Sequence, residues 1–78
     1  MVVWTAVVIG VLAIGQSLPF GVSFHPDPAT GRPMTYMASS NHTSRTSCEL
    51  ALARLKMIAY EIGFEADRKR SECVSMTR

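Results

Sequence analysis

Charge is missing from the start of this chain. None of the first twenty-six residues is Lys, Arg, Asp or Glu, and all fourteen such residues lie between Asp27 and Arg78. That absence excludes an ordinary solvated opening and divides the chain between an apolar environment and water. Cysteine is nearly absent too, with Cys48 and Cys73 the only pair. Together with His25 and His42 they lack the close ligand spacing of zinc sites, so no metal is expected. There is no glycine-rich phosphate loop and no nucleophile motif. The Ser, His and acidic residues are scattered without a catalytic pattern, so the chain reads as a non-enzyme with no cofactor and no small-molecule substrate. The net charge of +2 is too small to argue for nucleic acid.

What is present begins with an uncharged segment, Val2 to Phe24. Every residue from Val2 to Ile14 except Thr5 and Gly10 is strongly apolar. Three readings compete. A membrane helix needs about 20 apolar residues, and Val2–Leu18 nearly supplies them, with Pro19–Phe24 continuing into the interface. An export signal has a short apolar core and a small-residue cleavage site, which Ala13 and Gly15 supply before Gln16, although a basic start is missing. The β-branched richness of Val2–Val11 also suits a buried strand. The membrane helix is the leading expectation. On such a helix Ala6 and Gly10 form a small-xxx-small pair for a neighbouring helix, and Trp4 sits at the membrane edge.

His25–Pro33 (HPDPATGRP) holds three prolines and a glycine and reads as an extended or turning linker. Met34–Ser39 alternates weakly as a short strand. Thr46 and Glu49 fit a capping box. After it Ala51, Leu52, Leu55, Ile58, Ala59 and Ile62 recur at helical spacing, with Cys48 heading the stripe. Gly63 suits a left-handed helix ending with Phe64 folding back. Glu65–Glu72, including the triplet Arg68-Lys69-Arg70, reads as a solvated surface, and Cys73–Met76 as a short strand. Asn41-His42-Thr43 matches an N-glycosylation acceptor, a pattern common by chance.

The expected fold class is small α or α+β. One N-terminal transmembrane helix (residues 1–24) and a Pro-rich linker (25–33) precede an extracytoplasmic mini-domain (34–78), with one amphipathic helix, Ser47–Ile62, and short extended segments. A Cys48–Cys73 disulfide staples that mini-domain, provided the chain turns back at Gly63. Leu50 and Met57, with Arg54 beside them, lie on the flank away from the main stripe and are the expected partner face. The expected function is that of a single-pass accessory or interaction subunit of a membrane assembly. Its expected partners are membrane lipid and another membrane protein or further copies of itself. A secreted disulfide-stabilised effector, or a small lysis-type membrane perturbant, is the alternative.

Overall fold

In the computed structural model, which describes residues 1–21 and 23–77, the apolar opening is a strand and not a helix. β1 (Val2–Leu12) is followed by β2 (His25–Pro26), β3 (Pro33–His42), α1 (Arg45–Glu61), β4 (Phe64–Ala66) and β5 (Glu72–Thr77). Seven of the eleven β1 residues are Val, Ile or Thr, whose branched side chains suit a pleated sheet better than a helix. The expected transmembrane helix is therefore overturned: among the described residues no helix is long and apolar enough to cross a membrane. Apolar continuity in this segment reflects a central strand with neighbours on both sides.

β1 organises the sheet. It pairs antiparallel with β3 on one side and with β4 and β5 on the other. β4 and β5 are thus both parallel to β3, and α1 carries the chain from β3 across β1 to β4, on the same side of β1 as β5. The stretch read as a linker instead forms β2 and a tight turn. His25 and Pro26 pair with Met34 and Pro33 at the outer edge of β3.

β4 and β5 leave a gap opposite Ile9, and the 67–71 loop fills it. The Asp67 N–H donates to the Ile9 carbonyl (2.8 Å), and the Ile9 N–H donates to Ser71 Oγ (3.1 Å). No backbone group of Ile9 is left without a partner, as a buried strand requires.

The core lies between β1 and α1. Leu12, Ala59 and Phe64 pack together, joined by Met37 and Ile62. A Cβ built on Gly10 would stand 3.1 Å from Phe64 Cβ and 3.7 Å from Ala59 Cβ, so Gly10 permits the helix to approach. Even-numbered β1 residues accordingly face α1, with Ala6 and Val8 fully buried. Ala6 and Gly10 thus serve close packing within the chain: they sit on a strand under its own helix, not on a membrane helix.

The helix begins two residues before the expected start. Ser44 is the N-cap, accepting from the Ser47 N–H at 3.1 Å, in place of the expected Thr46. Gly63 ends it with φ 91°, and Phe64 turns inward to open β4. That return brings β5 beneath the start of α1. Cys48 and Cys73 are joined in a disulfide, with a Cα–Cα distance of 6.2 Å.

Candidate interaction site at the β3 edge

Hydrogen-bond direction alternates along an antiparallel strand, so one bond fixes the rest. Ile9 directs its N–H and C=O toward the 67–71 loop, away from β3. The bonds from β1 to β3 therefore come from the neighbouring even residues, Ala6, Val8 and Gly10, opposite Ser39, Met37 and Thr35. Tyr36 and Ala38 in turn direct their backbone groups outward. β2 covers this edge only at Pro33 and Met34. Among the described residues no strand covers Tyr36 or Ala38.

Edge strands are usually protected by charge, proline or a bulge. From Thr35 to Asn41 the sequence is TYMASSN, with neither charge nor proline. A bulge near the far end is the one such device: the register between β1 and β3 shifts between Trp4 and Ala6, and Asn41 there has φ 65°.

Beside this edge runs a groove of about 480 Å³, between β3 and α1. Leu50, Arg54 and Ile58 form one of its rows at four-residue spacing, and Ser47, Ala51 and Leu55 form the next. Ser39 and His42 line it from β3. The groove is mainly apolar, with a polar end at the start of α1. Of the residues expected at a partner face, Leu50 and Arg54 line the groove, whereas Met57, 63% exposed, lies outside it. Ile58, assigned by its spacing to the inner stripe, is instead 46% exposed and joins the groove.

His42 latches the polar end. Its Nε2 lies 2.9 Å from Ser39 Oγ and its Nδ1 3.2 Å from Ser47 Oγ. Whichever nitrogen carries the proton, the ring donates to one serine and accepts from the other. Both nitrogens are occupied by hydroxyls, so the ring spans strand and helix without the orienting carboxylate that serine activation uses. Nearby, the Arg45 guanidinium stands 6.0 Å from the Trp4 ring centroid, a cation–π distance that ties the helix start to β1.

The sequence matches no family model and no curated protein, and the fold matches no solved structure.

A second polar cluster joins the turn after β2 to the loop after β4. The side chain of Asp27, in the turn after β2, is fully buried. Arg70 Nη1 and Nη2 each donate to it at 2.9 Å, and the Ala29 N–H and the Thr30 hydroxyl donate as well. Arg70 also binds Asp67 through Nε at 2.8 Å. The arginine holds Asp27 well below the usual carboxylate range, the turn donors assist, and burial opposes them. Asp67 is lowered for the same first reason, while the Arg70 guanidinium is raised, chiefly by Asp27. The buried Asp27 carboxylate accepts four hydrogen bonds within the cluster, two on each oxygen, as a structural clamp does. The Asp-Pro-Ala-Thr-Gly run held the available signal, since Asp side chains organise such turns. Arg70, expected on a solvated surface, is instead bound to two carboxylates.

A third exposed feature is the arm from Ala13 to Phe24. It has no charged residue, and Ile14, Leu18, Phe20 and Phe24 are all exposed on it.

Proposed function

We propose that this chain is a non-enzymatic interaction protein of an oxidising, extracytoplasmic compartment, which takes an extended segment of a partner protein onto the outer edge of β3. The observation that carries the reading is the uncovered edge at Tyr36 and Ala38 beside the Leu50–Arg54–Ile58 groove. An added strand takes its affinity from main-chain hydrogen bonds and its specificity from alternate side chains entering a neighbouring groove. Here those alternate side chains would meet Leu50, Leu55 and Ile58, with Arg54 available to an acidic group. The disulfide favours the oxidising setting, since such bonds persist outside the reducing cytosol.

Selection from a library of random peptides tests this reading. Enriched peptides should alternate apolar residues and lose at least about tenfold in affinity for Ala38→Pro, which removes an outward N–H without touching the β1 ladder. Equal binding to that variant overturns strand addition.

A second reading rests on the arm. Four exposed apolar side chains on an uncharged loop suit the lipid–water interface as well as a protein partner, and this keeps membrane lipid among the proposed partners. Flotation with phospholipid vesicles that is lost in Phe20→Ser supports it; no flotation at any lipid composition removes it.

A further inference from the structure

Arg54 stands in an apolar row without a counter-ion. Leu50 and Ile58 hold the positions four residues before and after it, and Ala51 and Met57 those at three, so α1 itself offers it no carboxylate. The ion pairs of the described residues join Arg45 to Glu49 and Arg70 to Asp27 and Asp67, and Arg54 enters none of them. Among the described residues lining the β3–α1 groove it is the one Lys, Arg, Asp or Glu. His42 is held there between the Ser39 and Ser47 hydroxyls. The groove thus presents a single permanent positive charge midway along an apolar wall.

We infer that the segment taken onto the β3 edge carries an acidic residue with an apolar residue two positions away on each side. The inference rests on the strand-addition reading and names its ligand. Charge is the first argument. A wholly apolar segment would cover Arg54 and strip its water without replacement, whereas a carboxylate pairs with the guanidinium and accepts its hydrogen bonds. A basic segment would be repelled, so the same arginine selects against it. Spacing is the second argument. Leu50, Arg54 and Ile58 succeed one another at about 6 Å along the helix axis. Alternate residues of an extended strand succeed one another at about 6.6–6.8 Å. Three alternate side chains of the added strand therefore keep step with the helix: apolar against Leu50, acidic against Arg54, apolar against Ile58. α1 sets out from the end of β3 and returns toward the level of its start, since Phe64 after it pairs with Leu12, next to the Val11 that pairs with Met34. The order apolar, acidic, apolar reads the same in both directions, so it suits a segment added parallel or antiparallel to β3.

Fluorescence anisotropy with three capped, labelled peptides tests the inference on the full oxidised chain. Their sequence is Thr-Leu-Thr-X-Thr-Leu-Thr, with X as Glu, Gln or Lys. The Glu peptide should bind at least about tenfold more tightly than the Gln peptide, and the Lys peptide most weakly. Arg54→Glu alters an exposed side chain with no acidic neighbour at three- or four-residue spacing, so the circular dichroism spectrum should not change. In that variant the order should reverse, with the Lys peptide bound best. Ala38→Pro should weaken all three peptides. Equal binding of the Glu and Gln peptides, lost in Ala38→Pro, overturns the acidic centre and leaves strand addition standing. A Glu preference that persists in Arg54→Glu also overturns it, since another group then reads the carboxylate. Absence of binding by all three peptides overturns the inference. Binding unchanged by Ala38→Pro overturns strand addition and the inference with it.

Discussion

Arg70 grips both carboxylate oxygens of Asp27, forty-three residues earlier in the chain, at 2.9 Å each. Asp27 lies beyond β3 and Arg70 in the loop after β4, so the pair ties together segments on opposite sides of β1. An ionised Asp27 is therefore built into the fold. Its pKa is lower folded than unfolded, so its contribution is complete above the unfolded value of about 3.9 and is lost as pH falls below that. Thermal melts should be flat from neutral pH down to about pH 5 and then decline. Asp27→Asn should flatten the acid limb. Arg70→Met should destabilise more than the Asp27→Asn, Arg70→Met double variant, because only the single variant leaves a buried carboxylate without its cation. An unchanged acid limb in Asp27→Asn would show that other groups drive acid unfolding.

The disulfide closes a separation of 25 residues. On the chain-entropy model it contributes about 3.5 kcal/mol. Reduction should lower the denaturation midpoint, and Cys48→Ser, Cys73→Ser and the double variant should be equally unstable. Urea melts with and without reductant measure this. A large difference between the two single variants would mean that one sulfur matters for packing alone.

Gly10 is a packing residue. Its missing Cβ would lie 3.1 Å from Phe64 Cβ and 3.4 Å from Thr35 Cγ2. Gly10→Val should cost about 1–3 kcal/mol by overpacking, whereas Gly15→Ala, with open space around it but φ 85°, should fail only by backbone strain of about 1 kcal/mol. Chemical denaturation of the two variants distinguishes these causes.

Cleavage before Gln16 would remove the whole of β1, and with it the strand that β3, β4 and β5 all bond to. A chain starting at Gln16 should be unfolded by circular dichroism even when oxidised. A native-like spectrum from that fragment would contradict the role assigned to β1.

The parts legible in the sequence were those written locally. α1, its ending at Gly63 and the inward Phe64 follow from spacing and backbone chemistry within a few residues. The disulfide was legible because two cysteines allow one intrachain pairing and Gly63 provides the reversal. β1 was misread because an unbroken apolar run fits a buried strand and a buried helix alike, and its neighbours in the sheet lie far along the chain. The β-branched excess was the informative signal. Leu50 and Arg54 were named for their helix position, yet the groove needs β3 beside them, and that proximity is a tertiary fact. Asp27 and Arg70 were hidden for the same reason: each looks solvated until the chain brings them together.

The pairing of Val2 with Thr77 has a consequence for how the molecule comes into being. β1 has neighbours along its whole length on both sides only once β5, which follows α1 and β4 in the chain, has been made. Contacts this distant in sequence make folding slow compared with a helical bundle of the same length. Until then β1, nine of whose eleven residues are strongly apolar, lacks one of its flanking strands. The newly made chain is thus a natural client for a chaperone that shields an extended apolar segment until β5 has emerged.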